Sequence, residues 1–597
     1  MVPIGINPEA MIQNRKQSSQ TKLKPLLVAG LLVPLAALVW FSFYLSQSRI
    51  YQVDECMNVY MARILSTGQA SQFFTNASLF LLGPLSWITR HATSSATVFS
   101  QARVIFLFVF WLNLWLMASI VGGRIGSLRW LTALLAAATL APLWDYGFEI
   151  RHDNLVLCGV LLIWWTIRVK PLGLASYVLT GMITVALLFV AVKSVVYVVP
   201  LSCAVLVFPP AGHKQSRLKL FAAWIGGALL AALIIRICYG TSGAWDTYLN
   251  VFRGVAKYSA SSNSGESSAR FWPWKVALPR LLYQTPLLLA LIAAGFAAVA
   301  ARMIRNWKSS FTWDSNLPEA LLLLGAFGDL MINPSPYPYN LVHLVPYAFL
   351  FAFRYAADVW LKIRMIPIVR PVVAGVVIFL YLWPFIAATQ RHLDFTNDRQ
   401  KKLMTLAEQL TDPARDQVYD GIGMVPTRQT IHYQWYIHSL NLNLLRTHGT
   451  EVHEILTARP AAVFIPSYRT DWLPKEDREF INTRYVALAN DFTVLGKILP
   501  PGGGSFEIFH AGRYCVVPAA SLGGTMPTNS AVAINDPVAG SLDGVGFSNN
   551  PVELTVGTHR LESAGKTELA VVWVGPNLER VPLLVARHHD NLFRNWY

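Results

Sequence analysis

Charge is what this 597-residue chain has least of: Asp, Glu, Lys and Arg make up 14% of it, against 54% apolar residues. Soluble domains carry about a quarter charged residues. An ordinary soluble protein is therefore excluded, and with mean hydropathy +0.41 the chain reads as a polytopic α-helical membrane protein. Cysteine is scarce as well: there are five, and Cys56 and Cys515 lie far apart, which makes no disulfide framework. No internal repeat or long low-complexity tract is present, and Ser259–Ser268 is the most loop-like stretch. Acidic residues are outnumbered 33 to 49 by basic ones, giving a formal net charge of +16. That excess does not point to nucleic acid, because the basic residues are scattered between apolar segments with no basic stripe or nucleic-acid motif. A cleavable signal is missing too. Met1–Lys24 is polar, and the apolar run behind it is too long and lacks a small-residue cleavage site, so it is expected to remain as an anchor.

What is there is a series of apolar runs long enough to cross about 30 Å of hydrocarbon. They fall near 26–45, 102–121, 127–144, 155–169, 174–192, 194–208, 219–238, 281–301, 319–333, 340–354 and 371–389, about eleven spans with some marginal in length. Lys and Arg alternate between the connecting segments. One set holds Arg15, Lys24, Arg124, Arg129, Lys170, Lys214, Arg305, Lys362 and Arg370, among others, and belongs in the cytoplasm by the positive-inside rule. An odd number of spans places the N-terminus inside and residues beyond about 390 outside. The expected organisation is a cytoplasmic tail at 1–25, a membrane domain at 26–390 with a long first outer loop at 46–101, and an extracytoplasmic region beyond.

That region has a soluble composition. Val418–Ile422 and Ala461–Pro466 read as short buried strands, with helical candidates at Ile431–Leu445 and Val452–Arg459, so 391–500 is expected to be a small α/β module. After the breaker Pro500-Pro501-Gly502-Gly503-Gly504, strands at Phe506–Phe509, Tyr514–Val517, Val552–Val556 and Leu569–Val574 predict a β-rich module over 501–597. Neither module carries a motif that ties it to chemistry; the expectation is that they recognise an acceptor or cover a site.

Asp54 and Glu55, side by side just past the first span, are costly beside a membrane unless they have a task. Behind them Met57, Tyr60, Met61, Ile64 and Leu65 form one apolar helical face with Gly68 as a stop, which predicts an amphipathic helix at the outer membrane surface. Asp54 could equally be its N-cap. A second crowded segment, Asp145 to Asn154, holds Glu149, Arg151, His152 and Asp153 in a loop so short that they must face the same surface as Asp54. Asp54, His152 and Asp153 could ligate a divalent cation, although the spacing matches no strong metal motif; alternatively Asp153 caps the next helix and Arg151 snorkels. Lys193 marks a turn between two spans, where it could bind phosphate as a point charge or snorkel to the interface. The outer loop 240–280 interleaves Arg253, Lys257 and Arg270 with Trp and Tyr, fitting either an aromatic belt or an anionic lipid headgroup. A proline-rigid turn at 333–340 offers Tyr337, Tyr339 and, just after it, His343.

An acidic pair in a long first outer loop, an Arg-x-Asp at the start of a later helix, a lysine in a tight helical pair and a Pro/Tyr/His turn before a late span together resemble the GT-C glycosyltransferases. Within that superfamily the pattern is most similar to the branch of the protein O-mannosyltransferases and the aminoarabinose transferase, over about residues 25–390. The resemblance implies transfer of a sugar from a polyprenyl-phosphate donor to an acceptor hydroxyl, on a protein, lipid or glycan, at the outer face of the cytoplasmic membrane and with inversion. It makes Asp54 the base, Glu55 its assistant, Asp153 with His152 the residues that shape the site or hold a metal, and Arg151 a substrate-binding residue. Lys193 and Arg270 would bind the donor phosphate, and Tyr337, Tyr339 and His343 the donor headgroup. A multi-pass transporter or a non-catalytic component of envelope polysaccharide assembly are the alternatives. A transporter, however, would place its charges near the midplane, often in repeated halves.

Overall fold

The computed structural model describes residues 8–68, 78–168, 173–207, 216–260, 278–305, 317–332, 338–362, 369–430, 437, 451–489, 491–522, 538–547, 550–576 and 592. Helices dominate up to residue 410: α1 (Pro8–Ser48), α2 (Val53–Ser66), α3 (Leu79–His91), α4 (Ser95–Gly122), α5 (Leu128–Ala138), α6 (Ala141–Tyr146), α7 (His152–Arg168), α8 (Leu174–Val190), α9 (Val195–Val207), α10 (Arg217–Thr241), α11 (Trp245–Ala260), α12 (Leu278–Gln284), α13 (Pro286–Arg305), α14 (Leu317–Ile332), α15 (Leu341–Lys362), α16 (Val369–Asp394) and α17 (Asp398–Leu410). Four stretches among the described residues are long and apolar enough to cross a membrane: Leu27–Ser48, Ser95–Gly122, Arg217–Thr241 and Val369–Asp394. Shorter apolar helices occupy most of the other expected runs. Two runs are broken. The run at 127–144 divides at Thr139–Leu140 into α5 and α6, and the run at 281–301 divides before Pro286, whose ring cannot continue α12.

The bundle is apolar outside as well as inside. Val33, Trp40, Leu229, Leu233, Val372 and Phe379 are exposed on α1, α10 and α16, as hydrocarbon requires, while α4, α7 and α15 bury Phe110, Leu114, Leu157, Leu161 and Val345. α8 and α10 meet backbone to backbone: a methyl at Gly181 or Gly227 would collide with the facing carbonyl of Trp224 or Val178.

The C-terminal part adds α18 (Val452–Ala458), α19 (Lys475–Arg484) and eleven strands: β1 (Val418–Tyr419), β2 (Val463–Phe464), β3 (Tyr485–Ala489), β4 (Phe492–Leu499), β5 (Gly503–Ile508), β6 (Gly512–Pro518), β7 (Gly540–Leu542), β8 (Val545–Phe547), β9 (Val552–Leu554), β10 (Gly557–Ser563) and β11 (Leu569–Trp573). β1 and β2 pair in parallel, and the sheet runs β1-β2-β4-β11-β6-β9 with β3 also on β4. It passes through the glycine-rich breaker, since β4 before it pairs with β11 after it. The two stretches expected as successive modules therefore share a sheet. A second sheet runs β5-β10-β7-β8. The helical candidate at Ile431–Leu445 and the loop Ser259–Ser268 fall outside the described residues, apart from Ile437 and Ser259–Ala260. Cys56 and Cys515 are both buried and free.

One expectation is corrected by the packing of α2. Its apolar face does not lie on a membrane surface: Tyr60, Met61 and Ile64 are buried in a core that continues into Val418, Tyr419, Ile422 and Val463 of the C-terminal part. Tyr60 Oη also accepts the backbone N–H of Thr430 at 3.0 Å. Each such side chain contributes about 1.5–3 kcal/mol when it leaves water, and here the C-terminal part supplies the apolar surroundings. Gly68 ends the turn after α2 with φ +75°. Further ties fix α2 in place. Ile50 N donates to Phe395 O at 3.1 Å and Asn397 N to Ser48 O at 2.8 Å, joining the ends of α1 and α16. Gln400 exchanges hydrogen bonds with both backbone groups of Tyr51.

Candidate functional site

The cluster of charged side chains begins at the first turn of α2. Gln52 is the N-cap and Asp54 is the second residue of the helix, where a carboxylate is favoured by the helix dipole. The segment between α6 and α7 comes to it: Asn58 Nδ2 donates to Ile150 O at 2.8 Å, and Arg151 Nη1 reaches Asp54 Oδ2 at 2.5 Å. The same guanidinium turns its Nε to Asp153 Oδ2 at 3.2 Å and lies over the Tyr339 ring at 3.7 Å from the centroid. Arg151 is thus a bracket between two carboxylates, resting on an aromatic face. Lys193, on the single turn Val192–Ser194 between α8 and α9, pairs with Asp153 Oδ1. Its ammonium also donates to Asn340 Oδ1 at 3.0 Å and stands 5.3 Å from the Tyr339 centroid. His343 Nε2 is 3.5 Å and His152 Nε2 3.8 Å from Asp153 Oδ1, with His343 stacked on Tyr197 at 4.7 Å.

The cluster is graded in exposure. Asp153 and His343 are buried, whereas the Asp54 side chain keeps 32% of its surface. Burial alone would raise the Asp54 carboxyl, but Arg151, and beyond it Arg469, outweigh burial and hold it below the ordinary carboxylate value. Asp153 is held well below that value: burial opposes, and Lys193 with the neighbouring imidazoles and Arg151 prevails. His152 is pushed down to about 4 by burial, against the pull of Asp153 and with Lys193 and Arg151 alongside. At neutral pH the pocket therefore holds two carboxylates, a guanidinium, an ammonium and a neutral His152.

Glu55 points elsewhere. Its Oε1 accepts Arg103 Nε at 2.9 Å and the Ile150 N–H at 3.2 Å, and its Oε2 accepts Arg103 Nη2 at 2.6 Å and the Gln52 N–H at 2.9 Å. Arg103 spends its remaining N–H groups on the carbonyls of Ser46, Arg49 and Ile50. Arg49 in turn donates to Glu149 Oε1 at 3.0 Å and to the carbonyls of Trp144 and Asp145. This sealed knot locks α1, α2, α4 and the α6–α7 segment to one another.

The structure thus brings Asp54, Arg151, His152, Asp153, Lys193, Tyr339 and His343 together and turns Glu55 away from them. Arg270 and Tyr337 lie outside the described residues. Sequence reading passed over Arg49, Arg103, Asn340 and Arg469. The first two could have been flagged as cations at the ends of apolar runs. Nothing local marks Arg469, which arrives from the loop after β2 stacked on Trp472 at 4.3 Å.

The cation suggested for Asp54, His152 and Asp153 does not fit, because the guanidinium of Arg151 stands between the carboxylates and, with Lys193, supplies the positive charge. Among the described residues one other group has metal-compatible spacing: Glu451, His453 and Asp477, with ligand atoms within 4.8 Å. There both carboxylates address the same ring nitrogen, His453 Nδ1, at 3.1 and 2.8 Å.

No family model matches the chain, and no curated protein matches it. Among solved structures it is similar to an oligosaccharyltransferase of Archaeoglobus fulgidus tethered to an acceptor peptide, with 9% identity over 79% of this chain and 72% of that one and a TM-score of 0.44. It is also similar to ArnT of Cupriavidus metallidurans bound to undecaprenyl phosphate, with 13% identity over 80% of this chain and 98% of that one and a TM-score of 0.44.

Proposed function

We propose that the chain is a membrane glycosyltransferase that moves a sugar from a polyprenyl-phosphate donor to an acceptor hydroxyl at the outer face of the cytoplasmic membrane, with inversion. One observation carries this reading: a partly exposed carboxylate, Asp54, stands beside a guanidinium, Arg151, whose other edge meets the Asp153 carboxylate together with Lys193. That is a base next to an anion site. In the transfer, Asp54 takes the proton of the acceptor hydroxyl as its oxygen attacks the anomeric carbon. The bond from that carbon to the phosphate oxygen breaks, and its electron pair leaves on the lipid phosphate. Lys193 and Arg151 stabilise the charge that develops there. Asp153 holds both cations in position, and Tyr339 gives Arg151 a flat surface to turn on. Arg151 also lowers the basicity of Asp54, so the reading requires the phosphate to draw the guanidinium away as the hydroxyl arrives. Glu55 acts at a distance, as a positioning residue that sets the first turn of α2.

The test uses the purified chain in lipid nanodiscs with a panel of polyprenyl-phosphate sugars and candidate acceptors, following donor consumption by mass spectrometry. Wild type is expected to consume at least one donor, and Asp54→Asn to lose about 10²–10⁴-fold in rate with the same amount of folded protein. Consumption of no donor, or a variant as fast as wild type, would sink the proposal.

A further inference from the structure

Asp329 is an ionisable residue inside an apolar run, the one at 319–333, and the proposed transfer makes no direct use of it. It is buried near the end of α14, where a carboxyl group is costly unless it has a partner and a task. The partner is Tyr197 on α9, whose Oη donates to Asp329 Oδ2 at 2.5 Å. Small and cyclic residues bring the two helices that close. Gly325 stands one turn before Asp329 on the same face of α14, and a methyl there would meet the Val196 carbonyl at 2.8 Å and Pro200 at 3.6 Å. Pro200, four residues beyond Val196, has no N–H to give that carbonyl. The first turn of α9 therefore forgoes a helical hydrogen bond and is held from outside, by the close packing of Gly325 and by the bond to Asp329.

That turn leads directly out of the charged cluster. Lys193 lies four residues before Tyr197, on the turn Val192–Ser194, where it pairs with Asp153 and donates to Asn340 Oδ1 at 3.0 Å. The Tyr197 ring serves α15 as well. It stacks on His343 with centroids 4.7 Å apart and 29° between the planes, and Tyr347, one turn further along α15, packs on it at 5.8 Å. His343 Nε2 in turn faces Asp153 Oδ1 at 3.5 Å. One phenol thus braces two of the groups that approach Asp153, and its hydroxyl is anchored on Asp329.

We infer that Asp329 is a positioning residue: through Tyr197 it fixes the Lys193 turn and the His343 ring, and so sets the place where a phosphate is received. The consequence for phosphate rests on the anion site of the proposed function; the bracing itself does not, and is read without transfer. Tyr197→Phe keeps the ring and its stack on His343 and removes the tie alone. Asp329→Asn keeps the tie, because an amide oxygen also accepts a hydroxyl, and Asp329→Leu removes it.

The full chain in lipid nanodiscs is titrated with a polyprenyl monophosphate, and backbone hydrogen exchange is followed on the same samples. Tyr197→Phe and Asp329→Leu should each bind about 3–10-fold more weakly than wild type and exchange faster over residues 191–197, with exchange in α2 unchanged. Asp329→Asn should recover most of the affinity that Asp329→Leu loses. Tyr197→Phe combined with Asp329→Leu, an apolar pair that leaves no buried polar group at that contact, should regain thermal stability and still bind weakly; it serves if a single variant fails to fold. In a Lys193→Ala background Tyr197→Phe should cost little more, since the loss passes through Lys193. Affinity that returns with stability in the double variant, or losses from Tyr197→Phe and Lys193→Ala that add in full, would make Asp329 a tie between helices only and overturn the inference, as would unchanged exchange over 191–197. Absence of monophosphate binding by wild type would instead sink the anion site of the proposed function, while faster exchange confined to the Lys193 turn in Tyr197→Phe would still uphold the bracing.

Discussion

The knot around Glu55 and the pocket around Asp54 start from adjacent residues of one helical turn and are built on opposite principles. Glu55 is sealed and accepts from Arg103 through both oxygens and from two backbone N–H groups. Asp54 keeps a third of its surface and takes its hydrogen bond, among the described residues, from Arg151. A buried charge that is fully satisfied rigidifies its surroundings, whereas one that is partly satisfied remains available for a new partner. In the proposed function the first carboxylate holds the helix and the second is the base.

The largest effect expected from that contrast is on the knot. Arg103→Ala leaves Glu55 buried without its counter-charge, a loss of about 3–5 kcal/mol in a fold whose whole stability is typically about 5–15 kcal/mol. The variant should reach the membrane in greatly reduced amount and unfold at a markedly lower temperature in detergent. Asp54→Asn should purify in wild-type amount and unfold within a few degrees of wild type. Equal stability of Arg103→Ala and wild type would break the comparison at its structural end.

A smaller effect is expected in the pocket. Lys193→Ala removes the ammonium that pairs with Asp153 and faces the proposed phosphate site. One charge-assisted contact is worth about 1.5–3 kcal/mol, so kcat/KM for the donor should fall about 10–100-fold with the protein still folded. Lys193→Arg, which keeps the charge, should recover part of the loss. If Lys193→Ala were as active as wild type, Lys193 would be a partner of Asp153 alone and the anion site would lie elsewhere.

Much of this contrast was legible in the sequence, for identifiable reasons. Apolar runs, the segment Asp145–Asn154 and the turn at Lys193 are local patterns, and a loop too short to stray forces Arg151 and Asp153 towards Asp54. The division of labour between Asp54 and Glu55 was not legible, because it is decided by Arg103, 48 residues from Glu55 along the chain. The covering of α2 was hidden for a related reason. Periodicity tells that Tyr60, Met61 and Ile64 share a face but not what covers it, and residues beyond 400 take the place expected for lipid. Arg469 belongs to the same class, a surface-loop arginine until the fold carries it to Asp54.

The smallest effect concerns pH, and it separates the two carboxylates by where their charge is set. Because Arg151 lowers the Asp54 pKa below its ordinary value of about 3.9, folding gains from the ionised pair above that value. The gain is lost only as pH falls through the still lower folded pKa. A base already ionised throughout this range gives a flat profile, and His152, titrating at about 4, is neutral over the same interval. The kcat/KM for the donor, which reports the free enzyme, should therefore change less than about twofold between pH 7 and pH 5. Arg151→Gln, which removes the larger of the two cationic influences and leaves Arg469, should move the acid limb upward while lowering the rate at its plateau. A wild-type limb near pH 6, or a limb that Arg151→Gln leaves in place, would assign the titrating base to a group other than Asp54.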